Sequence, residues 1–199
     1  MRPGPLPVVH RVNTIRALAA VPPAWGVEID LREAGRQVVV QHEPFRGGER
    51  LDDYLRHVRH RLLILNIKSE GIEEAVLRAV RRRRIRRYFL LDVTIPRLVA
   101  LSRRGVPHLA ARVSEFEAPE ACLALGRRVE WLWIDWFTRW PLTPAMGRRL
   151  AARFKLCLCS PELEGHPPSA IAAAQRAVRR MPVDAVCTDH PARWSGAAC

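Results

Sequence analysis

The chain has 199 residues, 48% apolar and 27% charged, with 33 Lys and Arg against 20 Asp and Glu for a formal charge of +13. That length and apolar content suit one packed core, so 1–199 is read as a single domain, and the basic balance excludes a disordered acidic segment. No apolar run approaches the roughly 18 residues a spanning helix needs, and His10 and Arg11 interrupt the first apolar stretch before a secretory core forms, so a soluble, cytoplasmic protein is expected.

In chain order, β-rich runs alternate with amphipathic stretches. Strands are predicted over 7–12, 26–32, 37–42, 61–68, 87–93, 107–115, 129–137, 154–160 and 183–188. Helices are predicted over 14–20, 49–57, 72–84, 95–103, 119–125, 143–152 and 169–181. Only Glu33 to Arg36 separates the second and third runs, and Gly35 suits a tight turn, so the third run pairs with the second as a hairpin. Eight strands remain, at roughly 25 residues per strand and helix, near the shortest unit with which such a barrel closes. The predicted fold is α/β: a compact (β/α)8 TIM barrel with a β-hairpin extension after the second strand. An open doubly wound sheet is the alternative, but no glycine-rich turn follows the first strand.

The stretch 72–84 has the clearest helical period, with Ile72, Ala75, Val76, Ala79 and Val80 on one stripe. Glu73 and Glu74 open it and Arg81 to Arg84 close it, the order that complements a helix dipole. The arginine run is therefore read as a solvated helix end, and no nucleic-acid partner is expected from charge alone. The five cysteines, Cys122, Cys157, Cys159, Cys187 and Cys199, include no CxxC pair, which argues against a disulfide framework or a zinc ribbon. Cys157 and Cys159 share a strand face and are read as small buried thiols.

Barrel chemistry gathers at the carboxyl ends of the strands. Those ends are strongly ionisable here: His10 and Arg11, Glu28 and Asp30, His42, Asn66 and Lys68, then Asp92, Glu115, Asp135, Glu162 and Asp189. Glu28 and Asp30 lie two apart on a strand and share a face, offering hard oxygens to a divalent cation. Two histidines that exchange protons near neutral pH, with Arg11 and Lys68 to neutralise phosphoryl oxygens, suit phosphoester chemistry. A Lys68 Schiff base is the competing reading; it needs a neutral amine in an apolar pocket, which the neighbouring carboxylates oppose. Trp131, Trp133, Asp135 and Phe137 share a strand face, either as core or as an aromatic wall for a sugar-like moiety.

The order His10-Arg11, Glu28-Ile-Asp30, Val38 to His42, Leu65-Asn-Ile-Lys68 and Thr188-Asp-His-Pro191 resembles the glycerophosphodiester phosphodiesterases and the wider barrel superfamily that includes phosphatidylinositol-specific phospholipase C. The resemblance spans essentially the whole chain and is similar to a small bacterial branch of that superfamily. It implies a role in lipid metabolism: a hydrolase for a glycerophosphodiester or another small or lipid head-group phosphodiester, with Mg²⁺ or Ca²⁺ as cofactor. Carried over by motif, His10 and His42 are the acid/base pair, Arg11 and Lys68 hold the phosphate, and Glu28, Asp30 and Asn66 are the metal positions. Asp92, Glu115, Asp135 and Asp189 are candidates for orienting those groups. Departures from the family pattern are as informative. Asn66 stands where the third metal carboxylate is usual, Val12 replaces a glycine, and Glu43 stands where an aspartate usually follows the second histidine. A barrel that binds a phosphorylated ligand without turning it over is therefore the alternative function, and a nucleic-acid module is a third. Asn13 is read as an N-cap for the first helix, or as a metal contact.

Overall fold

The computed structural model describes residues 4–195. Each aliphatic run forms a strand, and eight strand-then-helix units follow in order. They begin with β1 (Leu6–Val9) and α1 (Ile15–Ala19), then β2 (Gly26–Ala34) with its excursion β3 (Gln37–Val40) and β4 (Glu49–Arg50) before α2 (Leu51–Tyr54). Next come β5 (Leu62–Ile67), α3 (Glu73–Arg82), β6 (Tyr88–Leu91), α4 (Ile95–Arg103), β7 (Ala110–Val113) and α5 (Pro119–Leu125). The last units are β8 (Trp131–Ile134), α6 (Pro144–Ala151), β9 (Lys155–Cys159), α7 (Ile171–Val178), β10 (Ala185–Thr188) and α8 (Pro191–Trp194).

Parallel pairing joins β6, β5, β2, β1, β10, β9, β8 and β7 in that order. A parallel bridge between Leu90 and Leu109, with Leu90 N–H donating to His108 O at 2.8 Å, closes the ring between β6 and β7. The register can be carried once round from Leu6 through Ala185, Cys157, Trp133 and Arg112, across that bridge and back through β5 and β2. It arrives at position 14, eight residues along, which is the stagger of a (β/α)8 barrel. The fold is the barrel expected from the sequence, with its hairpin in the expected place.

Strand alternation divides the core in two. Inward side chains, among them Val8, Ile64, Phe89, Trp131, Trp133 and the three thiols Cys157, Cys159 and Cys187, fill the barrel interior. Phe89 stacks on Trp131 at 4.7 Å between centroids. Outward side chains such as Ile29, Leu65, Leu90 and Leu132 pack under the helices. The tryptophans of β8 thus serve the interior core rather than an aromatic wall, and the buried-thiol reading is also the observed one; Cys199 lies outside the described residues. Gly26 sits where three strands meet: a Cβ there would lie 2.8 Å from Val8 Cγ2 and 3.1 Å from the Leu62 carbonyl.

Strand β2 outlasts its barrel neighbours, and its end pairs antiparallel with β3 from Leu31–Val40 to Ala34–Gln37, through a turn at Gly35 with φ +59°. The predicted helix 49–57 begins as strand β4 and is helical only over Leu51–Tyr54, because the hairpin returns through Glu49 and Arg50 to pair with β3. The final helix α8 was not predicted; Pro191 starts it, and one turn is too short for a periodic signal. Among the described residues no helix is long and apolar enough to cross a membrane.

Candidate functional site

The chain leaves β1 through His10 and Arg11, whose φ of +49° is uncommon for a residue with a Cβ. That turn aims the Arg11 N–H at Glu28, whose Oε2 accepts it at 2.8 Å. Tyr54 steadies the same segment by donating to the Val12 carbonyl at 2.6 Å. Thr14, not Asn13, caps α1, accepting from Ala17 N–H at 3.0 Å. Asn13 instead grips Asp30 twice: its Nδ2 donates to Asp30 Oδ2 at 2.8 Å, and its Oδ1 accepts the Asp30 N–H at 2.9 Å.

Glu28 and Asp30 point inward from β2 and are each 1% exposed. Asn66 is the in-register neighbour of Asp30 on β5, and its Nδ2 donates to Glu28 Oε1 at 2.9 Å. Burial, reinforced by the adjacent Asp30 charge, pushes the Glu28 carboxyl up to about 7, against the hydrogen bonds from Arg11 and Asn66 and the charge of Lys68. Lys68 Nζ lies 3.2 Å from Asp92 Oδ2 and 3.7 Å from Asp30 Oδ1. Beyond it, Arg112 of β7 bonds Asp92 through Nε at 2.8 Å and Asp135 through Nη1 at 2.5 Å, and Trp133 Nε1 donates to the other Asp135 oxygen at 2.6 Å. Asp30, Lys68, Asp92, Arg112 and Asp135 thus alternate in sign across the mouth.

His42 reaches this mouth by the hairpin. Because β3 runs antiparallel to β2, its carboxyl end returns to the level of Asp30, whose carbonyl accepts the Gln41 N–H at 2.9 Å. Arg32 fixes it there, donating to the His42 carbonyl at 2.6 Å and to the Lys68 carbonyl at 3.0 Å. The His42 ring lies between Arg11 Nη2, 2.8 Å from Nε2, and Glu43 Oε1, 2.7 Å from Nδ1. A guanidinium only donates, so Nε2 carries the lone pair and Nδ1–H donates to Glu43. His10 Nδ1 pairs with Asp189 Oδ1 at 3.1 Å, and burial lowers its pKa against the pull of that carboxylate.

Arg11, Glu28, Asp30, His42, Asn66 and Lys68 are therefore linked through direct polar contacts, and Asp92 and Asp189 each bond one of the predicted site residues. Asp135 bonds none of them; it is joined only through Arg112. Glu115 bonds none of the predicted site residues. Its carboxylate accepts from Thr138 N–H at 2.5 Å, Thr138 Oγ1 at 2.8 Å and Arg139 N–H at 3.1 Å, tying the loops after β7 and β8 together. A pocket of about 400 Å³ opens beside that tie, lined by Phe116, Arg139 and Trp140. Arg112 and Arg32 were missed as site residues, while Asn13, read as a cap or a metal contact, bonds Asp30. Arg112 alone left a signal: it shares the inward parity of Ala110 on a strand otherwise apolar.

The donor set fits a hard divalent cation. Asp30 Oδ1 and Asn66 Oδ1 are buried oxygens without a hydrogen-bond partner, beside a second buried carboxylate. Asp135, Cys159 and Glu164 also bring ligand atoms within 4.8 Å of one another. That second set is poorly suited: Asp135 is held by Arg112, and burial keeps the Cys159 thiol protonated, donating to Glu164 Oε1 at 3.2 Å.

A closed (β/α)8 barrel with a charged, hydrogen-bonded mouth is the class that fold and site define. No family model matches the chain, and no curated protein matches it in sequence. Its likeness to solved structures runs along nearly the whole chain. A glycerophosphodiester phosphodiesterase from Agrobacterium tumefaciens str. C58 superposes with a TM-score of 0.64 at 17% identity, over 97% of this chain and 98% of that one. A glycerophosphoryl diester phosphodiesterase from Parabacteroides distasonis ATCC 8503 gives 0.64 at 14% identity, over 98% and 86%. A tryptophan synthase α-subunit from Pyrococcus furiosus gives 0.58 at 9% identity, over 92% and 86%. The chain shares the fold of all three.

Proposed function

We propose that the chain is a cation-dependent phosphodiester hydrolase, soluble and cytoplasmic, acting on a glycerophosphodiester or another small or lipid-derived phosphodiester. One observation carries the reading: Arg11 joins His42 at 2.8 Å, Glu28 through its backbone N–H at 2.8 Å, and Asp30 at 4.0 Å, so an anion-binding group, a titratable ring and two buried carboxylates form one cluster. Glu28, Asp30 and Asn66 hold Mg²⁺ or Ca²⁺ in this reading. When bound, the cation supplies positive charge to the phosphoryl oxygens. Arg11 and Lys68 receive the same oxygens. A phosphoryl group that engages the Arg11 guanidinium frees His42 Nε2 to accept a proton from the attacking hydroxyl, while Glu43 holds Nδ1–H and stabilises the imidazolium. His10, oriented by Asp189, handles the proton of the leaving alcohol. The shape likeness to two phosphodiesterases over nearly the full chain supports the same class.

The test is phosphorus NMR with a panel of phosphodiesters bearing a neighbouring hydroxyl, with Mg²⁺, Ca²⁺ or Mn²⁺ and again with chelator. A chelator-sensitive phosphomonoester or cyclic-phosphate signal is expected, lost by about 10²-fold or more in His42→Ala. Turnover that survives both chelator and His42→Ala overturns the reading. A second reading, a barrel that binds a phosphorylated ligand without turnover, is favoured by Asn66 and by the engagement of Lys68 with Asp30 and Asp92. It is the outcome if the panel binds but no new signal appears.

A further inference from the structure

Helices of a barrel run antiparallel to its strands, so every helix ends on the amino-terminal face, opposite the mouth. The arginines gather there. Arg86 and Arg87 follow α3, Arg127 and Arg128 follow α5, and Arg179 and Arg180 follow α7; all six are exposed. Among the described residues, the ion pairs on this side engage Arg56, Arg82, Arg104 and Lys155 and leave those six without a carboxylate partner. Basic residues in a last helical turn complement the dipole, which accounts for Arg81 and Arg82 of α3. Arg86 and Arg87 lie beyond the end of α3, outside the reach of that dipole, whereas Arg127 and Arg128 close the short 3-10 turn Gly126–Arg128.

Acidic residues collect at the other end, at the mouth. The acids that do lie on the amino face are occupied: Glu130 binds Lys155 at 2.6 Å and also His108, and Asp184 accepts the Leu156 N–H at 2.8 Å. At the centre of this face a pocket of about 270 Å³ opens between the first residues of several strands. Its walls include Tyr88 and Trp131, and Arg61, Arg86, Arg87 and Lys155 stand round it together with the two carboxylates Glu130 and Asp184. Tyr88 is half-buried, edge-on to His108 at 4.8 Å between centroids, and Lys155 Nζ lies 5.5 Å from the Trp131 ring centre.

We propose that the amino-terminal face binds single-stranded nucleic acid, its phosphates on the arginines and an unpaired base in the aromatic pocket. Arginine's planar fork matches phosphate oxygens, and a basic track with an aromatic stacking platform is what an unpaired strand requires. A bilayer fits less well. The large apolar side chains that stand exposed among the described residues, Phe45 and Phe116 in loops and Ile95 at the start of α4, all lie at the mouth end, so this face lacks an apolar anchor. The inference rests on the opposite end of the barrel from the proposed hydrolase site and does not depend on it.

The experiment is fluorescence anisotropy of a labelled single-stranded oligonucleotide with the full chain at about 50 to 200 mM salt, beside a duplex of equal length and vesicles containing phosphatidylglycerol. Saturable binding to the single strand is expected, with log K falling linearly against log salt. The double variant Arg86→Glu, Arg87→Glu should weaken it at least tenfold and reduce the salt slope by about 1.4, at roughly 0.7 for each single-strand phosphate that is no longer neutralised. Tyr88→Ala should weaken it without changing the slope. If the first variant fails to fold, Arg179→Glu with Arg180→Glu, outside the pocket, replaces it with the same expected loss. No saturable binding at the lowest salt, duplex bound as tightly as single strand, vesicles bound in preference to either, or charge-reversed variants that bind as well as the parent would each overturn the proposal.

Discussion

Glu28→Gln isolates the electrostatics of the mouth. Glu28 is 1% exposed, and its carboxyl is raised from an ordinary 4.5 to about 7 by burial and by Asp30. A carboxyl raised in the folded state binds its proton more tightly there than in the unfolded chain. Its contribution is therefore neutral well below pH 4.5 and becomes a growing cost as pH rises from there through about 7. The gap converts to on the order of 3 kcal/mol of destabilisation by pH 8. The amide keeps the volume and drops the charge. Its oxygen still accepts the Arg11 N–H, and Asn66, by turning its own amide, presents its unpartnered Oδ1 to the new N–H. In chelator, urea denaturation should find the variant more stable than the parent by about 3 kcal/mol at pH 8, with the difference shrinking toward zero at pH 4 to 5. Divalent cation should close most of that gap at a hundredfold excess over Kd, where it stabilises the parent by about 2.7 kcal/mol, and reverse the order at about a thousandfold, where it adds about 4.1, because the variant gains much less. An equal stability difference at pH 5 and pH 8, or an equal cation response in both proteins, would refute the argument.

Four further outcomes follow from the same contacts. Arg112→Met strands Asp92 and the fully buried Asp135, and should cost about 3 to 5 kcal/mol in denaturation at pH 8. The loss should be smaller at pH 5, because burial raises the Asp135 carboxyl and lets it take up a proton. Asn13→Ala removes both bonds to Asp30; a loss of about 1 to 3 kcal/mol is expected, with weaker cation binding by calorimetry. Asn66→Glu adds a third carboxylate beside Glu28 and Asp30, and should tighten cation binding in calorimetric titration while lowering the melting temperature in chelator. Gly26→Ala drives a Cβ against Val8 and the Leu62 backbone inside the barrel, and should destabilise by about 1 to 3 kcal/mol in urea.

The strands were legible because each carries its own apolar run between turn residues, and eight such runs in this length leave few ways to bury both faces of every strand. Glu28 with Asp30 and Asn66 with Lys68 were legible for a related reason: period-two parity fixes their common face before any partner is known. What parity cannot supply is the identity of the partner across the mouth. Arg112 sits on the fifth barrel strand and answers to carboxylates on the fourth and sixth, a relation set by the stagger of the closed barrel and not by proximity in the chain. The same limit explains Glu115. It lies just past its strand as Asp92 lies past its own, yet the loop after β8 folds back over it and ties up its carboxylate with four hydrogen bonds from Phe137, Thr138 and Arg139.

His42 marks the boundary between the two kinds of information. As the end of a β-rich run it looked like any other strand-end residue, but its strand runs against the barrel, so the reasoning that places parallel strand ends at the mouth does not apply to it. It reaches the mouth because β2 continues past its neighbours to Ala34, turns at Gly35 and returns far enough for Gln41 to bond the carbonyl of Asp30. The depth of that return fixes where the imidazole stands, and Arg32 locks it by bonding the carbonyls of His42 and Lys68 together. Lengthening the turn at Gly35 while β2 and β3 keep their register should leave His42 in place. Inserting one residue between Val40 and His42 instead shifts the ring relative to Arg11. It should abolish turnover at little cost in stability, because the insertion falls in the loop between β3 and β4 and leaves the pairing of β3 with both β2 and β4 in register. Retained activity in that insertion variant would remove the hairpin, and His42 with it, from the mechanism.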